Sequence, residues 1–374
     1  MKLLYITDAL AVWGGIERVL RDKTEYLVDK YGYEIHFVTT DQGEHPISYP
    51  FDERIQIHDL GICYHHQYYC HGFRRILKHI ELNRLFVKRL KTIISDIQPD
   101  LIVCIRLEAI RIIIHAKGNI PLVFESHSMF SAYRYEQSSL WYRIRLRMAE
   151  WYLRKATCVV ALTEGDAKDW RRYNKNVHVI PNVVQLNPTG KLSRLQSKKV
   201  IFAGRFTDQK DIGSLVEIWK IVHQHHPDWE LHAYGEGEYK EYYETLVKKL
   251  KVNITIHNPT SHIFERYIES SMLIMTSLYE PFGLVLPEAM SCGLPVVAFN
   301  CPYGPADIIH DGVDGLLVDD RNMESFAKCI CLLIENDKMR YEMGNVAVSS
   351  ASRYKPEYIM PMWNLLLSET CHLI

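Results

Sequence analysis

The chain has no C-x-x-C pair, no long apolar run and almost no net charge, and each absence removes a class of protein. Its nine cysteines, at 63, 70, 104, 158, 292, 301, 329, 331 and 371, include no C-x-x-C pair. An odd, scattered set, with Cys104 and Cys158 inside apolar strand-like runs, reads as reduced cytosolic thiols rather than a disulfide frame. No stretch approaches the ~18 apolar residues needed to span a bilayer. The opening Met1-Lys2-Leu3-Leu4-Tyr5-Ile6-Thr7-Asp8 has too short an apolar run for a signal peptide and ends in an acid, so it reads as a first strand. Lys and Arg total 44 against 45 Asp and Glu, a formal charge of −1, so nothing global calls for nucleic acid. Neither a G-x-G-x-x-G dinucleotide fingerprint nor a G-x-x-x-x-G-K-[ST] loop occurs, and a P-loop kinase is disfavoured.

What is present is enough apolar residue, 47% of 374, for two buried cores. Short β-branched runs alternate with longer amphipathic segments throughout, the pattern of α/β folds with parallel sheets. Strands are expected near 2–7, 34–40, 55–58, 101–105, 121–125, 157–161 and 177–180, with helices near 15–30, 74–97, 108–116, 139–155 and 164–173. Residues 185–197 lack periodicity and carry Pro188 and Gly190, which suggests an interdomain linker. The pattern restarts at Lys199, with strands near 199–204, 229–234, 253–256, 272–276, 295–299 and 315–318, and a closing helix over 357–371.

The run Tyr279-Glu280-Pro281-Phe282-Gly283-Leu284-Val285-Leu286-Pro287-Glu288 carries the most chemistry. A strand ends, a Pro-Phe-Gly turn follows, and a helix is expected over about 283–292. The N–H groups of Gly283, Leu284 and Val285 would then face out of a helix start, where they favour an anion. Two carboxylates beside an anion site are unsuited to holding phosphate, and suited to accepting hydrogen bonds from sugar or ribose hydroxyls. Sugar, phosphate and ribose together make a nucleotide sugar. Upstream, Arg205 and Lys210 share one loop after the strand 199–204. An Arg fork and a Lys point charge suit a diphosphate leaving group, although an isolated pair is ordinarily two solvated cations.

Glu280 and Glu288, with seven residues between them, resemble the E-x7-E signature of family-4 retaining glycosyltransferases. Cys292-Gly293-Leu294-Pro295-Val296-Val297-Ala298 and Asp311-Gly312-Val313-Asp314-Gly315-Leu316-Leu317-Val318 are similar to that family too, as are Gly204-Arg205…Lys210 and Gly14-Gly15-Ile16-Glu17-Arg18. The resemblance implies a GT-B fold, two Rossmann-like parallel-sheet domains facing across a cleft, with no metal, no cofactor, and retention of anomeric configuration. It divides the chain into an acceptor-binding domain, 1–187, a donor-binding domain, 188–355, and a helix, 356–374, crossing back to the first. It implies that Glu280 holds hydroxyls of the transferred sugar and Glu288 those of the ribose, beside Phe282, Gly283, Leu284 and Val285. Arg205 and Lys210 would hold the diphosphate, Gly14 and Gly15 the donor side, and His127, closing the strand 121–125, the donor sugar, with Glu125 as an alternative polar contact. The base is placed near Asn258. One departure stands out: where the family often has Gly after the lysine, this chain has Asp211, read as an N-cap of a helix 212–226.

Other constellations read as structure. His223, His225 and His226 precede Pro227 without i, i+4 metal spacing, Asp319-Asp320 is no convincing metal pair, and Cys329-x-Cys331 lies in a helical apolar pattern. Basic, aromatic-rich stretches, Phe73-Arg74-Arg75-Ile76-Leu77-Lys78, Tyr142 to Met148 and Trp151 to Lys155, fit either an ordinary amphipathic helix or docking at an anionic membrane. The expected protein is thus a cytoplasmic enzyme, peripheral at the inner face of the membrane if those stretches dock. It moves a hexose or N-acetylhexosamine from a nucleotide diphosphate sugar, a UDP-sugar foremost, to a glycan or lipid-linked acceptor for cell-surface polysaccharide. The alternatives are a nucleotide-sugar epimerase of similar fold and an inactive glycan-binding protein.

Overall fold

The structure, a computed structural model, describes residues 1–130 and 140–372, without the side chains of 140–142, 145 and 372. The chain forms two compact units, Met1–Val183 with Pro356–Ile374, and Val184–Lys355. Residues 187–195 are tied to the second unit, for example through Asn187 N–H to Ser291 Oγ (3.0 Å) and Ser193 N–H to the Cys292 carbonyl (2.8 Å).

In the first unit, seven strands make a parallel sheet: β1 (Lys2–Thr7), β2 (Glu34–Thr39), β3 (Gln56–Asp59), β4 (Leu101–Cys104), β5 (Leu122–Glu125), β6 (Cys158–Ala161) and β7 (Val177–Val179). Their order is β3-β2-β1-β4-β5-β6-β7. Sheets covered on both faces need strands that are apolar at successive positions, and Leu101–Cys104 and Cys158–Ala161 are buried throughout. Period-2 alternation then sends Leu4, Ile6, Ile102 and Phe124 to one face, under Phe86 and Leu90 of the helix Gly72–Ile97. Leu3, Tyr5, Val103 and Val123 go to the other. There they meet Leu20 and Leu27 of the helix Gly15–Tyr31 and Ile359, Met360, Trp363 and Leu367 of the last helix, Pro356–His372. Gly32 ends the first helix in the left-handed region, φ 65°, where its N–H caps the carbonyls of Leu27 and Val28.

The second unit repeats the plan with β8 (Lys199–Ala203), β9 (Glu230–Tyr234), β10 (Ile254–His257), β11 (Met272–Met275), β12 (Val296–Phe299) and β13 (Gly315–Val318), ordered β10-β9-β8-β11-β12-β13 and parallel. Its sheet packs under Leu215, Trp219 and Val222 of the helix Ile212–His225 and Phe326, Ile330 and Leu333 of the helix Met323–Glu335. Among the described residues no helix is long and apolar enough to cross a membrane. Most helix ends lie within two or three residues of the sequence reading. The 3-10 helix Tyr64–Tyr69 was invisible there, having no apolar period.

One feature occurs in both units. Glu34 Oε1 lies 2.9 Å from His36 Nε2, and His36 Nδ1 lies 3.1 Å from His58 Nε2 on the neighbouring strand. Glu230, His232 and His257 repeat this chain at 3.1 and 3.0 Å. Burial, then the facing imidazole, lowers the pKa of His58 and of His257 below the usual histidine value. A base with a depressed folded pKa is kept neutral by the fold, so its contribution is intact above about pH 6.5 and is lost as pH falls toward the folded value. The protein should therefore lose melting temperature between about pH 7.5 and about pH 5.5 more steeply than the His58→Gln/His257→Gln variant does in the same scan. Parallel curves would show that these pairs do not sense pH.

Candidate active site

In open parallel sheets ligands bind beyond the strand C-termini where the strand order reverses. In the second unit that point lies between β8 and β11, and the loops leaving these two strands carry Arg205, Lys210 and Glu280. The loops are stitched together: Leu278 N–H donates to the Gln209 carbonyl (2.8 Å), Gln209 Nε2 to the Tyr279 carbonyl (3.1 Å), and Thr276 Oγ1 to the Lys210 carbonyl (3.0 Å). So held, the Lys210 ammonium ion-pairs with Glu280 Oε1, which also accepts from Ser277 Oγ at 2.7 Å. The lysine stem lies over Gly204, where an added Cβ would come within 3.5 Å of it. Glu280 is 4% exposed, and its second oxygen bonds nothing among the described residues. Arg205 is exposed, with no ion-pair partner among the described residues. The sequence pointed to two cations on one loop. The structure instead divides them into one cation neutralised by a buried carboxylate and one unpaired.

Asp211 takes φ +46°, a left-handed conformation in which glycine is the natural occupant. The aspartate offsets that strain by capping the helix Ile212–His225, its side chain accepting from Ser214 N–H (3.1 Å) and Ser214 Oγ (2.6 Å). Its other neighbour was missed in the sequence. Arg321 Nη1 lies 2.6 Å from Asp211 Oδ2, while the same guanidinium donates to the carbonyls of Thr276 (3.2 Å) and Ser277 (2.7 Å) and covers the Phe299 ring at 4.1 Å. The acid beside the lysine is thus neutralised by Arg321, which also braces the strand end that presents Glu280.

The Pro-Phe-Gly turn needs glycine twice. Gly283 has φ +97°, and a Cβ on Gly304 would lie 1.9 Å from the Phe282 carbonyl oxygen. Because Gly283 is left-handed, the helix begins at Val285 rather than Gly283 and runs only to Ser291. So short a helix has little dipole, and what Gly283, Leu284 and Val285 offer is their individual N–H donors. Glu288, 2% exposed, lies inside this helix and accepts from the Tyr267 hydroxyl at 3.3 Å. Asn258 is exposed, its amide oxygen bound by Lys240. Next to it His257 stacks on Tyr234 at 4.4 Å beside a cavity of about 210 Å³, lined also by His232, Lys199 and Arg266. No group of three or more His, Cys, Asp or Glu positioned for a metal occurs among the described residues.

In the first unit, Gly14 and Gly15 form the start of the helix Gly15–Tyr31. Gly14 has φ −126°, open to any residue, and an added Cβ would come close only to the flexible Glu17 carboxylate, at 2.7 Å. Neither backbone nor packing therefore demands a glycine at 14. His127 follows β5 and is 7% exposed. Its loop is anchored by Asp166, which accepts from Phe130 N–H (2.9 Å) and Trp170 Nε1 (2.7 Å); burial pushes the Asp166 carboxyl up to about 6. His127 Nε2 lies 3.1 Å from Glu125 Oε1, turned inward rather than outward as its position at a strand end suggested.

Residues 13–187 match the family described as Glycosyltransferase Family 4, and residues 186–349 the one described as Glycosyl transferases group 1. The chain is a family-4 glycosyltransferase. Over 202 residues this glycosyltransferase is 36% identical to the amylovoran biosynthesis glycosyltransferase AmsD of Erwinia amylovora, covering 52% of this chain and 56% of the relative. The chain thus spans little more than half the length of AmsD. It is 27% identical over 361 residues to an uncharacterized glycosyltransferase of Haemophilus influenzae, covering 95% of this chain and 96% of that one. The fold is GT-B. A mutant of S. aureus TarM, solved in complex with Fondaparinux, alpha-GlcNAc-glycerol and UDP, gives a TM-score of 0.78 at 17% identity, over 98% of this chain and 99% of the other.

Replacing Asp211 separates its two tasks. Asp211→Ala loses a cap and places a Cβ-bearing residue without compensation in the left-handed region, a cost of about 2 kcal/mol. Asp211→Gly loses the same cap and the same Arg321 contact but relieves the left-handed strain, and should cost about 1 kcal/mol less than Asp211→Ala. Urea unfolding of the two variants checks the order, and equal losses would mean that the left-handed conformation carries no strain.

Proposed function

We propose that this glycosyltransferase is a retaining enzyme that moves a hexose or N-acetylhexosamine from a UDP-sugar to a lipid-linked glycan in cell-surface polysaccharide assembly. The observation that carries the reading is the Lys210–Glu280 pair at the switch point, with Arg205 unpaired on the same loop and one Glu280 oxygen uncommitted. Glu280 accepts hydroxyls of the transferred sugar and Glu288 those of the ribose. In the first unit, Gly14, Gly15 and His127 are the donor-side residues that the family resemblance assigns. The cations take up the charge that appears as the anomeric C–O bond breaks toward the diphosphate, which is where preorganised charge lowers a barrier most. The acceptor oxygen bonds to the anomeric carbon on the same face, and its proton passes to a diphosphate oxygen. UDP in the TarM complex supports the donor class, and the biosynthetic role in the name of AmsD supports a part in assembly.

A lipid-linked acceptor requires access to a membrane. Phe73, Ile76, Leu77 and Ile80 follow helical i, i+3, i+4, i+7 spacing and are all exposed, with Arg74, Arg75 and Lys78 between them. Ile144, Met148 and Trp151 are exposed on a second helix, Leu140–Leu153. The side chains of Tyr142 and Arg145 lie outside the described residues.

Three outcomes are expected. Lys210→Ala should lower turnover of the donor that most raises the melting temperature in a UDP-sugar panel by about 10²–10³-fold, while melting falls by only a few degrees. Loss of fold in proportion to activity would make the lysine structural. Chelation with EDTA should leave the rate unchanged, and full inactivation would call for a metal. Vesicles containing phosphatidylglycerol should sediment the wild type more than Phe73→Asp/Leu77→Asp, and neutral vesicles should sediment neither.

A further inference from the structure

Two residues behind the Lys210–Glu280 pair hold a backbone conformation that side chains avoid. Asp211, in the loop after β8, has φ +46°, and Arg321, in the loop after β13, has φ +62°. For a residue with a Cβ the left-handed region is costly, and it persists where the surroundings over-determine it; such residues cluster at functional sites. The two are also partners, Arg321 Nη1 lying 2.6 Å from Asp211 Oδ2. Capping accounts for Asp211 but not for Arg321. The helix that follows, Met323–Glu335, is capped by Asn322, whose side chain accepts from Ser325 N–H at 3.0 Å. The arginine instead reaches back to the end of β11, where Nη2 donates to the Ser277 carbonyl at 2.7 Å. Ser277 is fully buried, and its hydroxyl donates to Glu280 Oε1 at 2.7 Å. Lys210 takes that same oxygen and is the chain neighbour of Asp211. The contacts therefore close a ring, from Asp211 to Arg321, Ser277, Glu280, Lys210 and back, built from the loops of three strands.

We propose that Arg321 and Asp211 are positioning residues for Glu280: by fixing Ser277 from behind, the guanidinium sets the direction of the carboxylate, so that one oxygen stays with Lys210 and Ser277 and the other is presented to the hydroxyls of the donor sugar. This rests on the reading of Glu280 given above. A planar fork can hold an acid and two adjacent carbonyls at once, which an ammonium cannot do in the same geometry. The second carbonyl is that of Thr276, 3.2 Å from Nη1, and the Thr276 hydroxyl binds the Lys210 carbonyl at 3.0 Å. Arg321 thus steadies the lysine side of the pair as well as the glutamate side. Asp211 anchors the fork in turn through Oδ2, which also accepts from Ser214 Oγ at 2.6 Å on the helix Ile212–His225. Loss of the fork should act on the chemical step more than on binding, because a reacting geometry is less tolerant of small displacements than an affinity is.

The test uses glycine, which is at ease in the left-handed region, so that Arg321→Gly removes the fork and relieves the backbone together. Its melting temperature should stay within a few degrees of the wild type. Hydrolysis of UDP-glucose and UDP-N-acetylglucosamine should fall about tenfold or more in kcat for whichever the wild type turns over, with KM changed less than about threefold. In a Ser277→Ala background the same substitution should cost less than about a further twofold, because the path to Glu280 is already cut. A readout without substrate is the Lys210 ammonium signal in ¹⁵N-lysine-labelled protein, assigned by its loss in Lys210→Ala. It should exchange with water about fivefold faster in Arg321→Gly, as the pair opens more often. If that variant does not fold, Arg321→Lys, which keeps the charge but not the fork, serves the same measurements. A wild-type kcat, an unchanged Lys210 signal, or losses from Ser277→Ala and Arg321→Gly that simply multiply would overturn the proposal. Full hydrolysis by Glu280→Gln would instead remove the reading of the site itself, whereas a slow Glu280→Gln beside a fast Arg321→Gly would remove this inference alone.

Discussion

A carboxylate and an ammonium held together at the end of a parallel sheet are the constraint on which the second unit's chemistry depends. Glu280 is nearly out of water, where an acidic side chain is costly to bury without a partner, and Lys210 is that partner. Lys210 reaches it because the β8 and β11 loops share three hydrogen bonds. Arg321 and Asp211 then keep those loops in register from behind. The arrangement is preorganised: little has to move before charge arrives, apart from a lysine exchanging part of one partner for another.

The first unit solves a related problem with an opposite exposure. Arg205 is left in solvent, whereas Lys23 of the helix Gly15–Tyr31 pairs with Glu125 and is sealed beneath Trp363 and Tyr5. In both units a carboxylate at or just beyond the C-terminal end of a strand is paired with a lysine from a different element. In a low-dielectric setting such pairs are costly to break from one side only, which makes their geometry stiff. Stiffness suits groups that must present one oxygen in a fixed direction.

Much of this was legible in the sequence, and the reasons are local. Buried parallel strands such as Leu101–Cys104 and Val296–Phe299 are continuous apolar runs, so their positions could be read directly. Glu280 and Glu288 declared themselves by spacing, and Asp211 as a cap by its place before an amphipathic helix. The rest depended on residues far apart in the chain. Arg321 follows two acids that suggest only a solvated turn, and nothing near it names Asp211 as a partner 110 positions earlier. The helix start was placed two residues early because a left-handed Gly283 leaves no mark on apolar periodicity. Lys23 did leave one, as a lysine inside a stripe of buried positions, but its partner lies 102 residues away.

The helix Pro356–His372 gives the fold an order of assembly. The second unit is one unbroken stretch, while the first is completed by residues that follow the second in the chain. Until Trp363 emerges, Lys23 and its carboxylate lie open to water and one face of the first sheet lacks Ile359, Met360 and Leu367. The earlier-made half of the protein is therefore the later one to become finished, and during synthesis its uncovered apolar face is what a chaperone would meet.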